Sequence, residues 1–226
     1  MLAWDIETTG IKKETDLITV ISLYDPDAGI SKVLRFVDLN EECDVCYIDA
    51  KEKRVAEFIA FMDEAETLNA FNGQSFDIPF VQIQFNISNE KIQKWVLKSF
   101  DVLDTCRKAF SRTFSLNLAL EMNIDGFQKS GSGMDAVYQA RRGEWKELED
   151  YCMYDSILTH KLSSLDTILC PEGYQWRKNH DGRSYDPDHV LKIHRSGSKL
   201  TFSFGPVNTG PVNTGPSVTP VLQVKV

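Results

Sequence analysis

Three short blocks bring four carboxylates and one phenol to spacings that could do chemistry together. They are Asp5-Ile6-Glu7-Thr8-Thr9-Gly10, Asn72-Gly73-Gln74-Ser75-Phe76-Asp77 and Tyr151-Cys152-Met153-Tyr154-Asp155. Cleaving a phosphodiester near neutral pH calls for an activated water and a stabilised leaving oxygen. Two divalent ions about 3.5–4 Å apart can supply both. Mg²⁺ and Mn²⁺ favour oxygen donors, so Asp5, Glu7, Asp77 and Asp155 form a suitable cage for two such ions. Histidine and cysteine are absent from the three blocks except for Cys152, which does not favour zinc. Taken singly, each block is as well explained by an ordinary strand, turn, core aromatic or solvated helix acid. Their combination points to a two-metal phosphodiesterase.

Such a cage needs elements that hold its ligands in place. In residues 1–7, Leu2, Trp4 and Ile6 alternate with the other face, which predicts a strand. Asp5 and Glu7 are two apart and therefore project from one side of it. Further strands are predicted at 17–24, 31–37 and 67–71, the first three forming an antiparallel start. A helix over 53–66 carries an apolar stripe of Val55, Phe58, Ile59 and Met62. Helices are also predicted at 77–86, 89–98, 115–122, 134–141 and 144–168. On the last of these, Tyr151 and Asp155 lie four apart and share a face.

The three blocks resemble the Exo I, Exo II and Exo III motifs of the DEDD 3′–5′ exonuclease superfamily. The third has the Tyr-x-x-x-Asp form, and Asp150, not histidine, stands five residues before Asp155. The chain therefore resembles the DEDDy branch, which includes the proofreading domains of family A and B DNA polymerases and the RNase D group. Asp101-Val102-Leu103-Asp104-Thr105-Cys106, Ser115-Leu116-Asn117-Leu118-Ala119 and the run from Gly143-Glu144-Trp145 to Thr159-His160-Lys161-Leu162 are most similar to stand-alone exonucleases related to the family B polymerase domain. The resemblance covers roughly residues 1–170.

That resemblance implies a ribonuclease H-like α/β fold, with a mixed central sheet whose first three strands are antiparallel, flanked by helices. It implies that Asp5, Glu7, Asp77 and Asp155 bind two Mg²⁺ or Mn²⁺ ions and that Tyr151 orients the attacking water. Asn72 corresponds to the residue that helps hold the substrate strand. Thr8 and Ile11 correspond to positions touching the terminal nucleotide, through backbone polar groups and an apolar wedge. The implied reaction is metal-dependent hydrolysis from the 3′ end of a single strand, with DNA as the expected substrate and a replication or repair protein as a partner in trans. An RNase D-like exoribonuclease and a non-catalytic nucleic-acid-binding module stay open as alternatives, since the spacing does not reveal contacts to a 2′-hydroxyl.

Composition bounds the rest. A chain of 226 residues with 42% hydrophobic residues can bury one sizeable core plus an appendage. No apolar run is long enough to span a bilayer and no signal-peptide pattern precedes the first strand, so an intracellular protein, cytoplasmic or of the nucleoid or nucleus, is expected. The net charge of −8 argues against tight wrapping of a duplex and for weak, end-directed binding. Basic residues at Arg107, Lys108, Arg112, Lys129, Arg141 and Arg142 read either as a candidate phosphate-facing rim or as scattered solvated surface charge.

Five cysteines, at 43, 46, 106, 152 and 170, make an odd count without a disulfide framework, and reduced thiols are expected. The expected organisation is a catalytic domain over 1–170, an accessory segment over 171–204 with a β-hairpin, and a Gly/Pro-rich tail over 205–226. The tail opens with Gly-Pro-Val-Asn-Thr twice in tandem, a composition that favours an extended, loosely packed chain.

Overall fold

A computed structural model describes residues 1–37, 44–110, 113–127, 133–171, 187–196, 199–206 and 221–222. The chain divides into two compact units. The first comprises Met1–Asp101 and Ser130–His160, the second Val102–Lys129 and Lys161–Val226.

The first unit is built on a five-stranded sheet of order β3-β2-β1-β4-β5. Its strands are β1 (Leu2–Thr8), β2 (Ile18–Asp25), β3 (Ile30–Arg35), β4 (Leu68–Ala70) and β5 (Ser99–Asp101). β1, β2 and β3 pair antiparallel, and β4 and β5 join in parallel, so the sheet is mixed as anticipated. Alternation along β1 divides the side chains between the two faces. Leu2, Trp4 and Ile6 enter a core with Ile21 and Leu23 of β2. That core is closed by Phe58 and Met62 of α1 (Asp44–Glu64), Ile78 and Val81 of α2 (Asp77–Gln84), and Trp95 of α3 (Asn89–Leu97). Phe58 sits at its centre, with ring centroids 5.7 Å from Trp4 and 5.8 Å from Trp95. The opposite face of β2 packs Val20 against Ala136 and Ala140 of α6 (Gly133–Arg142) and Leu148 and Cys152 of α7 (Trp145–Ser163).

The second unit holds α4 (Val102–Phe110), α5 (Leu116–Asn123) and a sheet of order β6-β7-β8-β9, namely Thr167–Pro171, Pro187–Ser196, Lys199–Pro206 and Val221–Leu222. β7 and β8 form the anticipated hairpin, in register from Ser196↔Lys199 to His189↔Pro206. Leu191, Ile193, Leu200, Phe202 and Phe204 are buried on one face of it. Asn123 closes the edge of β6: its amide donates to the Leu169 carbonyl and accepts the Leu169 N–H.

Three readings of the sequence change. The long helix expected over 144–168 ends at Ser163, and Thr167–Pro171, with β-branched Thr167 and Ile168, is a strand paired with β7. The helix expected from residue 53 begins at Asp44. Ser99–Asp101 and Val102–Phe110, given no element from sequence, form β5 and α4. Most of the tandem repeat lies outside the described residues, as do Cys43, Arg112 and Lys129, while Val221–Leu222 pair with β8. Cys106, Cys152 and Cys170 are free thiols. Among the described residues no helix is long and apolar enough to cross a membrane.

Candidate active site

The site lies within the first unit and draws on three elements. β1 supplies Asp5 and Glu7 from the face opposite Leu2, Trp4 and Ile6. Asp5 is half-buried and Glu7 is buried. α7 supplies Tyr151 and Asp155, both half-buried, from the side where Leu148 and Cys152 pack on the sheet.

Asp77, the first residue of α2, arrives by a more constrained route. β4 stops at Ala70, while β1 continues to Thr8. The Ile6 N–H therefore has no β4 partner, and Asp77 Oδ1 accepts it at 3.1 Å. This bond holds the start of α2 between Asp5 and Glu7 in the sequence of β1. The connecting turn is narrow. Asn72 takes a left-handed conformation (φ 70°), and a Cβ on Gly73 would stand 2.5 Å from the Ala70 Cβ. Both oxygens of Asp101, buried at the end of β5, accept backbone N–H groups of this turn, from Asn72 and Gln74 at 2.9 Å each. The Asn72 carbonyl then receives the N–H groups of Ser75 and Phe76. Asp101 is a turn-holding residue that sequence reasoning missed. It stood within one of the family-like segments, but its task of clamping a turn depends on β5 lying beside β4, which no local pattern announces.

The loop after β1 carries the remaining candidates. Thr8 is buried, and its hydroxyl donates to the Gly10 carbonyl. The loop is tied to α2 through Gln84, which donates to the Asp16 carbonyl at 2.6 Å and accepts the Ile18 N–H at 3.0 Å. Ile11 is the most exposed large apolar side chain among the described residues, at 81%. The structure thus brings Asp77 and Asp155 into electrostatic reach of both Asp5 and Glu7, and Tyr151 into reach of Asp155, Glu7 and Asp5. It sets Asn72 in the turn leading to Asp77, and Thr8 and Ile11 in the loop leaving Glu7.

Electrostatically the cluster is strained. Burial raises Asp5 well above the usual carboxylate range, and Asp77, Glu7 and Asp155 raise it further. Burial also raises Glu7 strongly, with Asp155 and Asp77 adding to it. Asp77 is pushed to about 7 by burial and then by Asp101, even though the Ile6 N–H works the other way. Asp155 is pushed to about 6 by burial, against a hydrogen bond from the Tyr151 hydroxyl. Burial and then Asp155, Glu7 and Asp5 raise the Tyr151 phenol, so at neutral pH it keeps its proton and can donate but not act as a base. Among the described residues no lysine or arginine is a cause of these shifts.

Clustered acids without an internal counter-charge fit a divalent cation, whose charge would reverse each of these shifts. The carboxylate oxygens form a hard donor set. Cys152 also comes close: ligating atoms of Asp5, Glu7 and Cys152 lie within 4.8 Å of one another. Its thiol is raised by burial and by Asp5 and Glu7, and it stays protonated, a donor to its neighbours. This nearness was hidden in the sequence, where Cys152 stands only as a residue of the third block that does not favour zinc.

No protein with a curated description matches the chain. Over residues 2–167, from the first residue of β1 to the first residue of β6, the sequence matches the RNase H superfamily, and the chain belongs to that superfamily.

Proposed function

We propose that the chain is a metal-dependent 3′–5′ exonuclease of the DEDDy type that removes nucleotides from single-stranded DNA. Membership of the RNase H superfamily suggests a metal-dependent nuclease. The observation that carries the finer reading is the pairing of an uncompensated four-carboxylate cluster with a phenol hydrogen-bonded to one of its members, Asp155. When bound, two Mg²⁺ or Mn²⁺ ions supply a nucleophile near neutral pH and stabilise the leaving oxygen.

The chain's own groups do the rest. Asp5, Glu7, Asp77 and Asp155 hold the ions, each as a deprotonated carboxylate. The Tyr151 hydroxyl, whose proton goes to Asp155, accepts a hydrogen bond from the attacking water and so orients it for in-line approach to phosphorus. A bond forms between the water oxygen and phosphorus, and the bond from phosphorus to the 3′-oxygen of the preceding nucleotide breaks. The products are a nucleoside 5′-monophosphate and a strand shortened by one residue with a free 3′-hydroxyl. Thr8 and Ile11 flank the terminal nucleotide on one side, where the exposed Ile11 side chain can stack on a base, and Asn72 holds the strand on the other.

The test is digestion of 5′-labelled single-stranded DNA and a matched RNA, with Mg²⁺ or Mn²⁺ and with EDTA. The expected result is a stepwise ladder receding from the 3′ end of the DNA, abolished by EDTA. Cuts within a circular single strand would overturn the exonuclease assignment, and preference for the RNA would overturn the choice of substrate.

A further inference from the structure

Behind Asp5 lies a buried polar network that the proposed mechanism does not use. Ser22 faces Asp5 across the β1–β2 ladder. Its hydroxyl reaches the Cys152 carbonyl at 2.8 Å and the Ser156 hydroxyl at 2.6 Å. The Cys152 sulfur lies 3.2 Å from Ser22 Oγ, 3.5 Å from the Asp5 carbonyl and 3.7 Å from Asp5 Oδ2. Ser22, Cys152 and Ser156 all have 0% exposure. A fully enclosed hydroxyl cluster in a sheet–helix interface costs desolvation unless every proton finds an acceptor.

The protons can be assigned. A carbonyl can only accept, so the single proton of Ser22 goes to Cys152 O. Ser156 must then donate to Ser22 Oγ. The Cys152 thiol is left to donate towards Ser22 or Asp5. Without Ser22, the Ser156 hydroxyl would bond the carbonyl four residues earlier in its own helix, which is that of Cys152. Ser22 has taken this acceptor, so the network joins helix to sheet instead of closing within α7. The joined residues lie immediately beside the site: Cys152 follows Tyr151, and Ser156 follows Asp155.

We propose that Ser22 is a positioning residue. Its hydroxyl pins α7 to β2 beneath Asp5, fixing the height of Tyr151 and Asp155 against Asp5 and Glu7 and turning the Cys152 thiol towards Asp5. An apolar contact would hold the two surfaces together while allowing the helix to slide, whereas directional bonds select one register. The inference rests on the reading of the carboxylate cluster as a metal-binding centre. Partners that hold ligands in place commonly contribute ten- to hundredfold to metal affinity.

The experiment is calorimetric titration of the metal-freed full chain with MnCl₂, alongside thermal melts and single-turnover hydrolysis of a short single strand. Ser22→Ala should weaken Mn²⁺ binding roughly tenfold and slow hydrolysis at saturating Mn²⁺, while the melt stays cooperative. The hydroxyl-retaining Ser22→Thr should bind like the wild type. Ser99→Ala is the control, because Ser99 Oγ likewise donates to a helix carbonyl, that of Trp95, at 2.7 Å. It should lower the melting temperature and leave Mn²⁺ affinity unchanged. If Ser22→Ala does not fold, Ser22→Val, which keeps the shape of the threonine variant without its hydroxyl, reads the same link, with an expected loss of about three- to tenfold. Wild-type Mn²⁺ affinity in either folded variant overturns the proposal. A wild-type chain that binds no Mn²⁺ instead overturns the metal-centre reading on which it rests.

Discussion

The two ends of β1 treat a buried aspartate in opposite ways. Beside its first residues stands Asp25, 8% exposed, and burial alone would raise its carboxyl. The Met1 amine at 3.0 Å and the N–H groups of Ala28 and Asp27 outweigh burial and hold Asp25 below its ordinary value. Further along β1, Asp77 is 4% exposed and accepts one N–H from the same strand, yet it is pushed up to about 7. The difference is company. Asp25 has a cation and two donors, whereas the electrostatic neighbours of Asp77 include Asp101, and those of Asp5 and Glu7 include Asp77. A fold that compensates one acid and leaves four others opposed has stored unfavourable electrostatics at one place, the common mark of a functional site.

The sharpest way to break this comparison is to remove acids from each end. Asp5→Ala and Asp155→Ala should each lower exonuclease turnover by roughly a thousandfold or more, because a lost ligand misplaces an ion central to the reaction. Each should melt at or above the wild-type temperature without metal, since like-charge repulsion is relieved. Asp25→Ala should do the reverse, keeping turnover near wild type while losing about 1–3 kcal/mol of stability by stranding its donors. Steady-state assays and melts on the three variants decide it. Wild-type turnover by Asp5→Ala would sink the assignment of the site.

Tyr151 refines the picture within the cluster, and the effect should be smaller. Its proton is retained at neutral pH, so it orients and does not abstract. Tyr151→Phe is expected to slow single-turnover cleavage by roughly one to three orders of magnitude, within the range for a lost positioned hydrogen bond, with little change in strand affinity. Tyr154, 38% exposed on another face of α7, is the control, and Tyr154→Phe should be nearly silent. The opposite pattern would show that the third motif has been read in the wrong register.

What could be read in the sequence follows a physical line. Period-two alternation in β1 placed Asp5 and Glu7 on one face, and four-residue spacing placed Tyr151 and Asp155 on another, because both signals are local and strong. The antiparallel start was legible for the same reason. β5 was not, since three residues, Ser99 to Asp101, carry too little pattern and gain their role only by lying beside β4. The helix predicted through Ile168 failed because Leu162, Leu165 and Ile168 suit helical spacing, while pairing of Thr167–Pro171 with β7 decided the outcome. Asp101 and Ser22 were hidden more deeply. Each acts on backbone groups far away in sequence, Asp101 on the turn at Asn72 and Ser22 on the carbonyl of Cys152, and such contacts leave no periodicity.

The most direct reading of the contrast along β1 is the pH dependence of metal-free stability. Asp77 lies at about 7 in the fold, against an ordinary 3.8, and Asp155 at about 6. A carboxyl raised on folding contributes stability that is fully present below its unfolded value and is lost as pH rises through its folded one. Between pH 5 and pH 7.5 the metal-free protein should therefore lose stability, on the order of 3 kcal/mol from Asp77 alone, or roughly 5–10 °C in melting temperature. Asp25 is silent in this window. Its lowered value contributes stability that is present above its unfolded value and disappears only as pH falls through the acidic range. His160, lowered chiefly by burial, acts with the opposite sign, being easier to protonate once unfolded, so its contribution is lost as pH falls. The difference between wild type and Asp77→Asn removes the His160 contribution and isolates the cluster. That difference should grow with pH in EDTA and collapse in millimolar Mg²⁺, because ions select the deprotonated acids. Parallel melting curves for the two proteins across the window would mean that Asp77 is compensated after all, and the contrast with Asp25 would fall.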